Sequence, residues 1–287
     1  MTAIFKRELR SYYCSMTGYV IAAVLLAFIG IYTMTLNLTY GYPNFEYVLD
    51  SMNFVYMVLI PLLTMRLIAE ERRQKTDLLL YALPLNSWDV AAGKFLAACT
   101  TLLPSLVVAG VIPVLLGQFG EVNYATAYAG LFAFFLLGCT LISIGLFFSA
   151  LTESQLLAGV VCFLILLMNF YSGSLAAYVS TASYASFMVL MVVGLVVAGL
   201  IWLMTRNMVA GLLFGVIADG GMLLCYLINP GIFAGLMSKI LSGLCIFSRM
   251  TGFINGIFDV RAVVYFLSVI GVFLFLTVQA LEKRRWS

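Results

Sequence analysis

Residues 124–151 read YATAYAGLFAFFLLGCTLISIGLFFSAL, a run of 28 residues without a charged side chain. An α-helix rises about 1.5 Å per residue, so roughly 20 apolar residues cross the hydrocarbon core of a bilayer. The whole chain shares this character, since 64% of its 287 residues are hydrophobic, 9% are charged and the mean hydropathy is +1.10. Soluble domains average about 45–50% apolar and about 25% charged residues. The sequence therefore predicts an all-α polytopic membrane protein.

Apolar runs of this length recur along the chain and predict about eight transmembrane helices in a single domain over residues 1–287. Pro104 and Pro113 interrupt the third run and should bend it, because proline lacks the backbone N–H that a helix needs. The sixth and seventh runs, joined only by 205–207, read as a tight hairpin. The predicted spans are Thr17–Leu38, Ser51–Ile68, Val90–Leu116, Tyr124–Leu151, Gln155–Tyr171, Ser183–Met204, Met208–Ile228 and Val260–Leu281.

The basic residues predict the orientation. With eight alternating spans, 12 of the 15 basic residues fall on one side, and only Lys239, Arg249 and Arg261 fall on the other. Because basic residues collect in cytoplasmic loops, we expect both termini in the cytoplasm and the protein in a bacterial-type inner membrane. The segment 229–259 is broken by five glycines and is expected to be extracytoplasmic or re-entrant.

Composition excludes several classes of function. The chain has no histidine, which removes the usual acid–base group and the commonest zinc ligand. It has no phosphate-binding loop of the GxxxxGK[ST] type, so we expect no ATPase activity, no catalytic residue and no bound cofactor or metal in this chain. A net charge of +3 does not suggest nucleic acid as a partner. The six cysteines contain no CxxC pair and are read as small buried hydrophobic residues.

Residues 1–16 predict an amphipathic helix. Phe5, Leu9 and Tyr12 follow the spacing of one helical face, and the basic residues Lys6, Arg7 and Arg10 provide a polar face. Such a helix would lie in the membrane interface. The alternative is a positively charged anchor that only flanks the first span.

The loop between the second and third spans contains nine of the 27 charged residues within positions 65–94. Glu70 and Glu71 precede Arg73 and Lys75 at the helical spacing that favours opposite charges. An apolar stretch over 78–83 follows, and Pro84 is expected to end the helix before Asn86 or Ser87 caps the next one. Exposed apolar surface on a loop usually marks a docking site, whereas a loop that only sets topology has no need of it.

These residues resemble a known family. The pattern Glu70-Glu-Arg-Arg, Thr76, Leu79, Leu83-Pro84 and Gly93-Lys94 is similar to the ABC-2 type permeases, the membrane subunits of ABC transporters. The sequence Phe5-Lys-Arg-Glu-Leu-Arg-Ser-Tyr and the end of the chain from Phe258 resemble the gliding-motility-associated subgroup. The resemblance covers about 1–172 and 245–285. Members commonly have six spans, so residues 175–240 would add a hairpin.

The resemblance implies how such a protein would work. Residues 1–16 would form a connecting helix, and the loop 70–90 would dock on a separate cytoplasmic ATPase. Two ATPase subunits, which bind ATP and Mg²⁺, would act on two permeases, identical or paralogous, surrounded by membrane lipid. An extracytoplasmic accessory protein is a further candidate partner. The implied coupling residues are Glu70, Glu71, Arg72, Arg73, Lys75, Thr76, Asp77, Leu79, Leu83 and Pro84, with a second coupling turn at Thr152, Glu153, Ser154 and Gln155.

Asp219 lies within the predicted seventh span and is a candidate for a pathway or gating role. A carboxylate at the bilayer centre costs about 2.5–3.5 kcal/mol on insertion scales and is often functional. Close helix packing through Gly211, Gly215 and Gly220 is the alternative explanation of this segment.

Two other classes of protein compete with the exporter interpretation. A self-contained secondary transporter or channel would typically show internal repeats and charges near the midplane, and only Asp219 fits that description. An intramembrane hydrolase would need a nucleophile with its base or a metal site, which a chain without histidine and without paired membrane carboxylates does not offer.

Overall fold

The computed structural model describes residues 1–76, 86–179, 182–192, 195, 219–223 and 225–285, and all regular structure in these ranges is helical. The all-α prediction is therefore confirmed. The chain divides into two compact units, one formed by Met1–Met168 with Arg249–Ser287 and the other by Asn169–Ser248.

In the described ranges 1–76 and 86–179 the chain forms nine α-helices. The first span continues beyond its α-helix as a π-helix, Thr33–Thr39, which the sequence analysis did not anticipate. The last helix of the chain is Val260–Arg285. The nine helices are α1 Thr2–Cys14, α2 Thr17–Tyr32, α3 Glu46–Ser51, α4 Asn53–Thr64, α5 Ala69–Arg73, α6 Ser87–Ala109, α7 Ile112–Leu116, α8 Tyr124–Leu151 and α9 Gln155–Tyr178.

Within the described ranges, six helical segments are long and apolar enough to cross a membrane. Each agrees with one of the predicted spans to within a few residues at its start, because each start coincides with a change from polar to apolar sequence. The six segments are Thr17–Thr39, Asn53–Arg73, Ser87–Leu116, Tyr124–Leu151, Gln155–Tyr178 and Val260–Arg284.

The prediction of eight spans is not confirmed. Of the two additional spans, Ser183–Met204 and Met208–Ile228, a large part lies outside the described residues. The described parts are a short apolar helix, Ser183–Val192, and a helical segment, Asp219–Ile228. The second is followed by Pro230–Leu244 at an angle of 116°, which is the geometry of a broken or re-entrant segment rather than of a straight span.

Helix α8 forms the centre of the first unit. In an apolar stretch of 18 residues within α8, 72% of residues are buried, compared with 22% in such a stretch of the last helix. At Gly138 of α8 an added Cβ would lie 2.8 Å from Leu102 Cδ1 and 3.2 Å from the Tyr56 ring. The Tyr56 ring stacks on Phe134 with centroids 4.0 Å apart. The missing side chain thus lets α4 and α6 approach α8 closely.

The third span is interrupted, but not where Pro104 stands. Pro104 lies inside α6, which continues to Ala109. The interruption falls at Gly110 and Val111, immediately before α7, where Pro113 occupies the first turn. A proline is tolerated there because the first N–H groups of a helix have no intrahelical acceptor.

The second unit contains short helices held by side-chain contacts. Asn169 Nδ2 donates to the Leu244 carbonyl (2.7 Å), and its Oδ1 accepts from the Ile246 N–H (2.9 Å). The rings of Phe187 and Tyr226 stack with centroids 4.4 Å apart. The segment expected to be extracytoplasmic or re-entrant, 229–259, begins in this unit, and its residues from Arg249 belong to the first unit. Its helices are Pro230–Phe233, Leu236–Leu244, Phe247–Met250 and Thr251–Ile254.

Candidate functional site: a charged junction at one end of the helix bundle

Helix α5 forms the end of the second candidate span, Asn53–Arg73, and its charges suit its direction. Glu70 and Glu71 lie in its first turn, and Arg72 and Arg73 lie in its last turn. Carboxylates near the N-terminus and cations near the C-terminus both complement the helix dipole. The end of α8 holds the start of α5, because Ser149 Oγ accepts hydrogen bonds from the Ile68 N–H (3.0 Å) and the Ala69 N–H (3.1 Å).

Helix α5 ends sooner than expected. The Thr76 N–H donates to the Glu71 carbonyl (3.0 Å) and the Lys75 N–H to the Arg72 carbonyl (3.1 Å), which is the Schellman arrangement. Lys75 has the left-handed φ of 56° that this motif requires. The expectation of one helix running to Pro84 was wrong, because the backbone turns out of the helix after Arg73. A lysine in a position that glycine usually occupies hid this end from sequence analysis.

Lys94 in the first turns of α6 connects three segments. Its Nζ lies 2.9 Å from Glu71 Oε2 of α5 and 3.2 Å from Glu8 Oε1 of α1. It also donates to the Leu67 carbonyl at 2.7 Å. With only 1% of the Lys94 side chain exposed, these contacts compensate for the water that the ammonium group loses.

Arg7 completes the cluster from α1. Its guanidinium donates to Glu71 Oε1 (2.5 Å) and to Glu8 Oε1 (2.6 Å). Burial would lower the pKa of Arg7, but the hydrogen bonds and charges of Glu8 and Glu71 outweigh it and raise the pKa above its ordinary value. Two cations therefore face two carboxylates. We call Arg7, Glu8, Glu71 and Lys94 the junction cluster.

Helix α1 can reach the cluster because Gly93 has no side chain. An added Cβ at Gly93 would lie 3.1 Å from Ile4 Cγ2 and 3.2 Å from Ile4 Cβ. Ile4 is 5% exposed. The close contact between α1 and α6 thus places Arg7 and Glu8 beside Lys94, the residue that follows Gly93.

A cavity of about 520 Å³ opens at the junction cluster. Its walls carry both signs of charge, and it can receive a polar or charged group of a partner protein more readily than an apolar ligand. Its lining consists of Arg7, Glu8, Ser11, Arg66, Leu67, Glu70, Glu71, Gln74, Thr76 and Lys94.

The predicted second coupling turn lies at the same end of the bundle, directly after α8. Thr152 Oγ1 donates to the Ser154 carbonyl (3.4 Å), and the Leu157 N–H donates to Ser154 Oγ (3.5 Å) at the start of α9, where Gln155 is the first residue. The Glu153 carboxylate pairs with Arg284 near the end of the last helix. The turn is therefore fixed to the last helix by an ion pair.

The structure brings together only part of the predicted set. Glu71 and Arg7 lie in the junction cluster, while Glu70 accepts from Gln74 Nε2 at 3.4 Å within α5. Arg72 is buried. Exposed side chains are those of Lys6, Arg10, Arg73 and Lys75. The remaining predicted coupling residues, Asp77, Leu79, Leu83 and Pro84, lie outside the described residues.

Sequence analysis missed Glu8 and Lys94 as site residues. The available signal was the position of Lys94, a single cation at the beginning of a long apolar helix, since a charge so placed requires a partner. Asp219 does not join the junction cluster, which belongs to the other compact unit. It is 8% exposed, and neither carboxylate oxygen has a hydrogen-bond partner in the described part of the chain.

Comparison with known proteins identifies the family. The profile of the ABC-2 family transporter proteins matches residues 15–281, a range that also runs across 175–240. No curated protein and no solved structure matches the chain. Together with six apolar helices long enough to span a bilayer, the match shows a multi-pass membrane protein with the character of a permease subunit. The chain belongs to the ABC-2 family of transporter membrane proteins.

Proposed function

We propose that this chain is the permease subunit of an ATP-driven exporter and that a separate cytoplasmic ATPase drives it through the segment that begins at α5. The observation that carries the proposal is the junction cluster, in which Lys94 joins α5 to both α1 and α6. A displacement of α5 therefore moves the third span and the N-terminal helix with it.

The mechanical part of the proposal depends on how firmly α5 is held. It has only five residues, and contacts fix both of its sides: Ser149 binds its start and Lys94 binds Glu71. A short helix held in this way moves as a rigid body with its neighbours. ATP binding would close the ATPase subunits, move α5 and reshape a cavity between two permeases, identical or paralogous.

The orientation of the proposed machine follows from the charges. The junction cluster and the second coupling turn lie at the end of the bundle that carries most of the basic residues. We place this end in the cytoplasm of a bacterial-type cell, with both termini on that side and α1 in the membrane interface as the connecting helix.

The remaining parts of the assembly follow from the same proposal. ATP and Mg²⁺ would be bound by two ATPase subunits, since this chain contains no phosphate-binding loop. Within the family, the segments Phe5–Tyr12 and Phe258–Ser268 favour the gliding-motility-associated subgroup. Residues 229–259 would face the outside, where an accessory protein can reach them.

Docking can be tested by placing negative charges in the proposed coupling segment. We expect Arg73→Glu, and separately the double change Leu79→Asp/Leu83→Asp, to reduce the copurified ATPase at least about tenfold, because like charges and desolvated carboxylates oppose contact. The measurement is the ratio of ATPase to tagged permease after purification from the native membrane. The control is Lys239→Glu, on an exposed residue of the other compact unit.

The outcome separates docking from folding. Permease yield and thermal stability of Arg73→Glu should match those of the wild type, because Arg73 is exposed. An undiminished ATPase ratio in both coupling variants would refute the docking assignment.

One observation favours the second candidate, a self-contained secondary transporter. Asp219 is a buried carboxylate without a hydrogen-bond partner in the described ranges, as substrate or proton sites of such transporters often are. If the purified chain alone, in vesicles without ATPase, moves a substrate along an ion gradient and Asp219→Asn abolishes this transport, the secondary transporter replaces our proposal. Under the exporter proposal, transport requires ATP and the ATPase subunits.

A further inference from the structure

A second cavity lies on the other side of Arg66 from the junction cluster. It has a volume of about 310 Å³ and runs between the start of α2 and the end of α4, with Tyr12 of α1 at one end. Half of its lining residues are aliphatic residues of candidate membrane spans, among them Val20, Val24, Leu59 and Leu62. We call it the α2–α4 crevice.

The mouth of the crevice is polar. Ser15 and Thr17 share a hydrogen bond between their hydroxyl groups at 2.9 Å, and both line the cavity together with Arg66. Arg66 is exposed and forms no ion pair or hydrogen bond with any described residue. In contrast, Arg7 and Lys94 are paired with carboxylates. The crevice therefore combines an apolar interior with a cation at its opening that the protein itself does not neutralise.

We propose that the α2–α4 crevice binds one anionic glycerophospholipid, with an acyl chain along Val20, Val24, Leu59 and Leu62 and the headgroup phosphate on Arg66. An apolar cavity that begins at a membrane boundary is filled by lipid tails. The guanidinium offers paired N–H donors that match phosphate oxygens. The α2–α4 crevice thus matches the acyl chain of such a lipid, and Arg66, which forms no ion pair with a described residue, matches its phosphate.

The dimensions of the crevice suit an acyl chain better than an inserted protein helix. A helix with side chains is about 10 Å wide, so 310 Å³ would hold only about 4 Å of its length, which is less than one turn. An extended acyl chain is much thinner and fits between two packed helices.

The position of the lipid gives it a role at the junction cluster. Arg66 lines both cavities, and the next residue, Leu67, provides the carbonyl that accepts from Lys94 at 2.7 Å. A phosphate bound to Arg66 would restrict the turn between α4 and α5. The lipid would thereby stabilise the segment that positions Glu71.

Native mass spectrometry of the full-length purified permease tests the proposal, with titration of phosphatidylglycerol or phosphatidylcholine of the same chain length. We expect one tightly retained phosphatidylglycerol and weaker retention of phosphatidylcholine. Arg66→Gln should weaken the retention of phosphatidylglycerol about fivefold, the size expected for one basic residue against an anionic lipid. Lys283→Gln, which removes an exposed cation near the same end of the bundle but outside the crevice, is the matched control.

A second pair of variants tests the acyl-chain site. Val24→Trp should fill the crevice and reduce retention of both lipids, whereas Val264→Trp, at a side chain that is 60% exposed on the last helix, should leave retention unchanged. Equal retention of the two lipids by the wild type, or equal effects of Arg66→Gln and Lys283→Gln, would overturn the proposal. So would a Val24→Trp variant that retains phosphatidylglycerol like the wild type.

Discussion

At the scale of single residues, Lys94 determines how the charged end of the bundle is assembled. It is almost fully buried, and its charge is balanced only because α1 contributes Glu8 and α5 contributes Glu71. A buried ion pair is weak evidence for stability, but removing one partner leaves an uncompensated charge. Lys94 therefore requires that α1 and α5 lie where Glu8 and Glu71 reach its ammonium group.

The charge balance around buried Lys94 leads to a prediction about stability. Lys94→Met should reduce the free energy of unfolding by about 3 kcal/mol, because Glu8 and Glu71 lose their buried cation. The double variant Lys94→Met/Glu71→Gln should recover more than half of the loss, because it removes one of the two carboxylates as well. Thermal unfolding of the purified permease in detergent measures both.

The surface variant Lys283→Met serves as the control and should stay within about 0.5 kcal/mol of the wild type. If Lys94→Met unfolds at the wild-type temperature, Lys94 does not carry the charge balance that the structure shows. If the double variant is less stable than Lys94→Met, the pairing of Lys94 with Glu71 is wrong.

At the scale of elements, the predicted and observed starts of helices agree where the sequence changes from polar to apolar residues. The predicted starts Thr17, Tyr124, Gln155 and Val260 are also the first residues of the observed spans. Such boundaries depend on composition over many residues, so a single substitution does not hide them. The concentration of charge in the loop after the second span was likewise visible in the sequence, whereas its ion pairs with α1 were not.

Elements set by a few backbone contacts could not be predicted in the same way. The end of α5 depends on the left-handed conformation of Lys75, and lysine gives no sign of it. The π-helix Thr33–Thr39 and the break at Gly110 likewise have no residue pattern that announces them. Glu71 pairs with residues far along the chain rather than with Lys75 at the helical spacing, because Lys94 and Arg7 come within hydrogen-bond distance only in the folded unit.

The contact between α1 and α6 gives a prediction about these two helices. Gly93→Val should push α1 away from α6, since even a Cβ atom would lie 3.1 Å from Ile4 Cγ2. We expect faster hydrogen exchange throughout α1 and a loss of copurified ATPase. The second change Ile4→Ala should restore slow exchange in part, because it removes Ile4 Cγ2, the nearest atom to the added side chain, and leaves the Ile4 Cβ contact at 3.2 Å.

The matched control for this pair is Gly271→Val, since a Cβ at Gly271 meets no atom within 4 Å. It should leave exchange in α1 unchanged. If Gly93→Val also leaves it unchanged, α1 does not pack on α6 in the membrane-embedded protein.

At the scale of the whole molecule, the number of spans and the orientation are separate questions. Six spans and eight spans are both even numbers, and an additional hairpin between Tyr178 and Val260 returns the chain to the side from which it left. With either number, our proposal places both termini on the same side. The proposal uses the positive-inside bias to place the junction cluster, the second coupling turn and Lys283 in the cytoplasm and Lys239 outside.

Cysteine labelling of intact cells checks this orientation. In a variant without the six native cysteines, Lys239→Cys should react with a membrane-impermeant maleimide added outside, and Lys283→Cys should react only after the membrane is opened. Both side chains are exposed, so their accessibility depends on the side of the membrane and not on burial in the protein. The reverse pattern would place α5 and the junction cluster outside the cell, where no ATPase can drive them, and the exporter proposal would fail. Labelling of both sites from outside would mean an even number of crossings between Lys239 and Lys283, which contradicts a single membrane span at Val260–Arg284.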